Sequence, residues 1–272
     1  MPLTSAQKTA VSQFVSITGV SEKVAQRYLK NASYKIDQAV DAFYSATGGA
    51  TPSANREIAL KNQFESLKTS SEDEAEKLGA ESSMEYLQKL GVNLEDASLF
   101  VALEVIQAES IGEIKKSGFV EGWKAVGIDG TIPAQRNYIQ TLVSSLRSNP
   151  EAFRKAYRYT FVVGKEADQR ALSKENAILY WEMLFKPPGR PWVGKKTGIN
   201  FLPEWTAFLN EKWTRSVNKD MWNQTLEFAR KSMDDESFHF WSEDDSWPGV
   251  IDEFVEWYRS KHAGSMAMDV DA

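Results

Sequence analysis

Cysteine is absent from the 272 residues, and histidine occurs twice, as His239 and His262. The first absence excludes disulfides, thiolate nucleophiles, thioester intermediates, Fe–S clusters and cysteine-bound zinc. The second leaves any His-based zinc site or Ser-His-Asp triad resting on one of two positions. His239 lies between aromatics in "SFHFWS" and His262 in a polar stretch, and neither has the spaced partners such a site needs. His239 therefore reads as a packing residue. Neither GxxxxGK[ST] nor GxGxxG follows a strand pattern, so nucleotide binding has no support. No apolar run approaches about 18 residues, so no membrane span is read. "MPLTSAQKTAV" lacks the basic and apolar regions of a secretory signal. The net charge of −6 argues against nucleic acid and suits a basic protein partner, although it is also an ordinary value for a soluble protein.

What is present is apolar, aromatic and helical in pattern. At 42% hydrophobic the chain has enough for one buried core and allows two domains. Residues 4–46 read as three short helices. Thr4 and Gln7 form a capping box, and Val11, Phe14 and Val15 make an apolar face behind it. "TGVS" at 18–21 is a turn, with Ser21 able to cap a second helix. Ile36, Ala39, Val40, Phe43 and Tyr44 give the third stripe. "TGGATPSANRE" at 47–57 reads as a flexible linker, followed by a helix from Ile58 to Leu67. Ser71 and Glu74 are spaced as a second capping box.

From about 84 to 262 the pattern is helical, with "YRYTFVV" as the one strand-like run. Asn149-Pro150, Ser173 and Asn218 are helix starts, and Pro203 and Pro248 open two more helices. Eight of the nine tryptophans follow residue 180, so the densest aromatic packing belongs to the C-terminal half. Residues 186–200, "KPPGRPWVGKKTGIN", read as an exposed loop, and 263–272 as a disordered tail.

Three stretches carry chemistry worth weighing. "QAESIGEIKKSG" at 107–118 has Gly112 and Ile114 at the sixth and eighth positions of an EF-hand loop. The ligand positions hold Gln107, Glu109, Ile111 and Gly118, so the loop geometry is expected without the ion. Asp220 and Asp252 each fall in the first turn of a helix. They read either as residues favouring the positive helix end or as a docking patch for Lys or Arg of a partner. Ile251, Phe254, Val255 and Tyr258 fall on the arc opposite Asp252 and Glu256, which turns the acids to solvent. The apolar segment 90–106 suits a core, or the lining of a groove that takes a partner's apolar anchor.

The stretches "FRKAYRYTFVVGKEADQRALSKENAILYWEMLF" (153–185), "NKDMWNQTLEF" (218–228) and "SWPGVIDEFVEW" (246–257) resemble the potentiating-neddylation domain of DCN1-like, defective-in-cullin-neddylation proteins. Residues 7–45 resemble a ubiquitin-associated (UBA) domain. The resemblance implies an all-α fold, a three-helix UBA-like bundle (4–46) joined to a larger helical domain (58–262) with degenerate EF-hand-like units. It implies a monomeric, non-catalytic co-E3 of cytoplasm and nucleus, with no cofactor, metal, nucleic acid or membrane partner. Such a protein holds the N-acetylated, UBC12-like NEDD8 E2 against a cullin C-terminal domain with RBX1. The absence of cysteine agrees, since it leaves no thioester role here and makes catalysis a matter of positioning.

Carried over by position, the resemblance implies cullin contacts at Asp220, Ser246 and Asp252, with Ser246 replacing a family alanine but keeping its small size. It implies a pocket for the acetylated E2 terminus at Ala97, Val101, Ile114, Val163, Tyr180 and Met183. Acetylation removes the amine charge, so that terminus can be buried without stranding an ammonium. It implies a ubiquitin- or NEDD8-binding surface at Thr18, Gly19, Val20, Phe43 and Tyr44, with core packing the other reading of Phe43. A different class remains open, a ubiquitin- or NEDD8-binding adaptor whose helical domain recruits a non-cullin partner.

Overall fold

Two separate hydrophobic cores organise the chain. The computed structural model describes residues 3–47, 52–166 and 168–266. The smaller core joins α1 (Ser5–Thr18), α2 (Glu22–Asn31) and α3 (Ile36–Thr47). Thr4 opens α1 through the expected capping box, accepting from Gln7 N at 3.3 Å while the Gln7 side chain accepts from Thr4 N at 3.0 Å. Gly19 closes α1 at φ 70°, a left-handed conformation that costs a glycine little. Ser21 precedes α2 in extended backbone, but its hydroxyl makes no capping bond. Phe14, Ala25, Leu29 and Ala39 are fully buried between the three helices.

The larger core begins with α4 (Pro52–Ser66). This corrects the linker expected over 47–57. Thr47 ends α3, 52–57 are helical, and 48–51 lie outside the described residues. Composition misled here for two reasons. Pro52 at the first helical position is pre-organised for a helix start. Glu57 then anchors that first part of α4 to a distant helix, meeting Lys124 at 2.8 Å as well as Lys61 at 2.7 Å.

After α4 come β1 (Lys77–Leu78), α5 (Ala80–Lys89), α6 (Ala97–Val105), β2 (Ile114–Lys115) and α7 (Lys116–Ala125). The strands pair antiparallel, Leu78 opposite Ile114 and Lys77 opposite Lys115. Loop 107–118 is therefore one half of a pair. With Leu78 as an eighth position, Ser71–Ser82 is its companion, which the sequence conceals because Glu76 stands where the first loop has Gly112 at φ 93°. The expected Ser71/Glu74 capping box does not form. Asp73 organises the turn instead, accepting from Ser70 N at 2.9 Å, Gly79 N at 2.8 Å and Ser82 Oγ at 2.6 Å. These bonds hold its carboxyl below the ordinary range although desolvation opposes them.

The chain continues through α8 (Ile132–Ser145), α9 (Pro150–Val163), α10 (Lys174–Leu184), α11 (Phe201–Lys212), α12 (Lys219–Asp234) and α13 (Gly249–Met266). Among the described residues no helix is long and apolar enough to cross a membrane. "YRYTFVV" lies in α9, a second correction. Its Tyr157, Thr160, Phe161 and Val163 are buried on one helical stripe with Phe153, while Val162 faces outward. α11 starts at Asn200, whose side chain accepts from Leu202 N at 3.1 Å, rather than at Pro203. Residues 263–266, read as part of the tail, complete α13, and 267–272 lie outside the described residues.

The aromatic centre of this domain is a hydrogen-bonded stack. Tyr157 Oη accepts from Trp181 Nε1 at 2.7 Å and donates to Trp222 O at 2.8 Å, while Trp222 Nε1 donates back to Tyr157 O at 2.9 Å. The rings of Tyr157 and Trp222 stack at 4.6 Å, and those of Trp181 and Trp222 at 5.1 Å. Three helices are thus fixed by bonds as well as by area.

Loop 186–200 is exposed at 186–187 and 195–198 as expected, but it is also anchored to the core. Trp192 is fully buried and donates to Ser232 Oγ at 2.8 Å. Glu236 receives Lys196 N at 2.7 Å, Thr197 N at 3.0 Å and the Thr197 hydroxyl at 2.5 Å.

Candidate protein-docking surface

The acidic edge comprises Asp220 in the first turn of α12 and Ser246 and Asp252 around the start of α13. Asn218 starts α12 by accepting from Met221 N at 2.8 Å, and this leaves Asp220 exposed in the first turn. The 235–248 connection is pinned by its own side chains. Asp235 accepts from Ser237 Oγ at 2.7 Å and His239 N at 2.8 Å. Phe238 packs on Tyr258 at 5.2 Å, and Trp247 meets Phe228 edge-on at 5.9 Å. Lys231 lies over the Trp247 ring at 5.4 Å. His239, expected to pack, is instead 83% exposed, with Nδ1 2.6 Å from Ser237 Oγ. The aromatics beside it turn inward and leave its ring outside.

On α13 the apolar arc behaves as its spacing predicts. Ile251, Phe254 and Val255 are fully buried and Tyr258 nearly so. Glu253 and Glu256 are exposed, but Asp252 is half-buried. Its Oδ1 accepts from Trp241 Nε1 at 2.8 Å, and the Arg259 guanidinium lies over that indole at 5.0 Å. The bond holds one carboxylate oxygen and thereby orients the other. Ser246 is exposed three residues before α13 begins. Ser246 and Asp252 therefore share one end of α13. Asp220 stands on the neighbouring helix, eight residues or about 12 Å of helix rise from the level where Phe228 receives Trp247.

The six positions read as an E2 pocket all enter the larger core. Ala97 and Ile114 are fully buried, and Val101, Val163, Tyr180 and Met183 are at most 8% exposed. Tyr180 meets Phe100 edge-on at 5.4 Å and donates to Gly164 O at 3.4 Å. Ile111 N donates to Val163 O at 3.3 Å, which ties the EF-hand-like loop to the end of α9. Beside these buried residues stand exposed Ile111, Val162 and Leu179, 40%, 45% and 52% accessible. Sequence reasoning did not single them out as surface residues. Their signal is an apolar side chain off the buried stripe of its helix, or at a loop ligand position that needs an oxygen. Beyond the rim Glu104 pairs with Lys155 at 2.8 Å. Burial, with Glu104 and Glu109 nearby, pushes the Tyr159 hydroxyl up to about 12.

In the small bundle Gly19 is exposed, and Thr18 and Val20 are half-buried. Thr18 donates back to Phe14 O at 2.7 Å. Phe43 is half-buried and meets Phe14, Tyr28 and Tyr44 edge-on at 6.0, 5.4 and 5.3 Å. Tyr44 Oη donates to Ile17 O at 3.3 Å, which ties the end of α3 to the last turn of α1. The five positions thus form one end of the bundle, with Phe43 contributing mainly to its core.

Residues 134–257 match the family model described as cullin binding, and residues 8–50 the model described as a UBA-like domain. The whole chain is 43% identical to defective in cullin neddylation protein 1 of Pyricularia oryzae, with 100% of each covered. It is 29% identical to the protein of that name from Yarrowia lipolytica, over 92% of this chain and 95% of the relative. DCN1-like protein 5 of Bos taurus is 29% identical over 69% of this chain and 74% of its own length. The chain belongs to the defective in cullin neddylation protein 1 family. In this family member Asp220, Ser246 and Asp252 lie inside the cullin-binding match, as do Val163, Tyr180 and Met183. Ala97, Val101 and Ile114 precede that match. Thr18, Gly19, Val20, Phe43 and Tyr44 lie inside the UBA-like match.

Proposed function

We propose that this chain promotes cullin neddylation as a non-catalytic scaffold. It binds a cullin C-terminal domain in complex with RBX1 on one surface and the NEDD8-charged E2 on another. The observation that carries this is the coincidence of the cullin-binding match with an acidic edge whose Asp252 is oriented by Trp241. Asp220 and Asp252 receive Lys or Arg of the cullin, and Ser246 leaves room for their approach. A surface of this kind steers association and is weakened by salt.

For the E2, the acetylated N-terminal methionine enters beside Ile111, Val162 and Leu179. It reaches the core through displacement of Tyr180, which bonds Gly164 O beside that rim, and of Met183 three residues further along α10. The terminus carries no ammonium, so burial strands no charge. Rate enhancement comes from effective concentration and orientation, with the reacting thioester on the E2. The UBA-like end at Thr18–Val20 and Tyr44 adds a contact to ubiquitin or NEDD8. The protein acts as a monomer in cytoplasm and nucleus.

The test is cullin neddylation in vitro with E1, E2 and NEDD8, with and without this protein, using E2 with acetylated and free N-termini. Stimulation that is stronger with the acetylated E2 is expected. No stimulation with either form overturns the proposal.

A further inference from the structure

A cleft of about 330 Å³ lies between α9, α12 and the start of loop 186–200, apart from the acidic edge and the apolar rim. Four guanidinium groups line it, those of Arg154, Arg158, Arg190 and Arg230, against one carboxylate, Glu227. The local balance is thus +3 in a chain whose net charge is −6. Its apolar lining comes from Phe153, Phe185, Leu226 and Met233.

The arginines differ in how far they are already used. Arg230 grips Glu227 with a fork, Nη2 to Oε1 at 2.6 Å and Nε to Oε2 at 3.1 Å. That fork holds the Glu227 carboxyl below its ordinary range, so it stays ionised and keeps Arg230 in place. Arg154 is 3.4 Å from Glu151 on its own helix. Among the described residues Arg158 and Arg190 form no ion pair. Arg190 exerts only a through-space pull on Asp234, whose direct partner is Lys195 at 2.5 Å. The basic lining also continues outward, because Arg154 and Arg158 border a second depression with Lys155 and Lys219.

We infer that this cleft is a further docking site, for an acidic peptide segment of a partner protein in which a large apolar residue is flanked by Asp or Glu. Charge complementarity selects the class of occupant. Planar guanidinium groups on opposite walls suit carboxylates, which they bind through two parallel bonds. The apolar floor selects a peptide over a free phosphate or a nucleic acid backbone, since neither brings an apolar group to fill it. Glu227 and Glu151, standing among the arginines, further disfavour a densely charged polyanion. None of the residues assigned to the cullin or the E2 lines this cleft, while the neighbouring depression reaches Val162 of the apolar rim.

The test uses the full chain and a fluorescein-labelled peptide, Asp-Glu-Glu-Phe-Leu-Glu-Glu-Asp, followed by anisotropy. The comparison peptides are Asn-Gln-Gln-Phe-Leu-Gln-Gln-Asn, which lacks charge, and Asp-Glu-Glu-Ser-Ser-Glu-Glu-Asp, which lacks the anchor. We expect binding of the first peptide alone, weakened at least tenfold in Arg158→Glu/Arg190→Glu and severalfold in the milder Arg158→Gln/Arg190→Gln. Circular dichroism melts of both variants serve as the folding control. Equal binding by wild type and a folded Gln variant overturns the inference, as does equal binding of the anchorless peptide. Binding of tripolyphosphate or an oligonucleotide at this cleft without binding of the acidic peptide also overturns it.

Discussion

The indole N–H of Trp241 donates to Asp252 Oδ1 at 2.8 Å, and this bond holds a half-buried acid in a helix first turn in one orientation. Trp241→Phe keeps the ring's bulk but removes the donor. Hydrogen bonds to charged groups contribute about 1.5–3 kcal/mol where they are well formed, and Asp252 is half-buried, so the low end applies. We expect a loss of about 1–2 kcal/mol in urea unfolding, together with weakened cullin binding that is less severe than for Asp252→Ala. Unchanged stability and unchanged cullin affinity together would mean that the bond orients nothing.

Tyr157 is the crossing point of the aromatic centre. Tyr157→Phe leaves the buried Trp181 N–H without its acceptor and removes one of the bonds on Trp222 O. An orphaned buried donor costs about 1–3 kcal/mol, or a fall of several degrees in Tm for a domain of this size. Differential scanning calorimetry measures it. A Tm within a degree of wild type would show that water or a rotamer change replaces the bond.

Gly194 and Glu236 are coupled by shape. A Cβ on Gly194 would stand 2.2 Å from Glu236 Oε1, yet that carboxylate is held by Lys196 N, Thr197 N and the Thr197 hydroxyl. Gly194→Ala is expected to destabilise by about 1–3 kcal/mol through overpacking and loss of those bonds. The double variant with Glu236→Ala should be no less stable than Glu236→Ala alone, because the clash partner is gone. Additive losses in denaturant melts would contradict the coupling.

Among the carboxyls held below their ordinary range, Asp235 and Glu57 are drawn down furthest. Asp235 is drawn from 3.8 to about 2, chiefly by the Ser237 hydroxyl and also by His239. Glu57 is drawn from 4.5 to about 2 by Lys124 and Lys61. Both are depressed in the folded state, so what they contribute is present above their unfolded values and is lost as pH falls through about 2. The urea midpoint should therefore decline below about pH 4.5. Ser237→Ala with Lys124→Ala should flatten that decline. A wild-type midpoint insensitive to pH over this range would contradict the assignment.

Local signals in the sequence were reliable where local physics decides. The capping box at Thr4 and Gln7, the caps at Asn149, Ser173 and Asn218, and the buried arc of α13 all form as their spacing implies. Misreadings and omissions arose where a partner distant in sequence decides. Pro52 to Glu57 is helix because Lys124 anchors it, and loop 186–200 is ordered by Glu236 and Ser232. The second EF-hand-like loop was hidden because Asp73 does its work with backbone donors and a serine rather than with spaced ligands. At the acidic edge the residue types were legible, but the bond from Trp241 was not, since it joins the connection to a helix eleven positions later in sequence. For Ala97 the core reading of 90–106 holds, while the pattern by itself does not separate groove from core at Ile114 and Tyr180, because an apolar groove and an apolar core share one pattern.

The central claim is that Asp220 and Asp252 dock the cullin. Titration calorimetry of the cullin C-terminal domain, bound to RBX1, against wild type and Asp220→Ala/Asp252→Ala tests it most directly. Salt-sensitive binding by wild type is expected, with at least a tenfold loss in the double variant, which stays folded and melts only a few degrees lower because the Trp241 bond to Asp252 is gone. Equal affinity of the two proteins, or no binding by wild type, would contradict it.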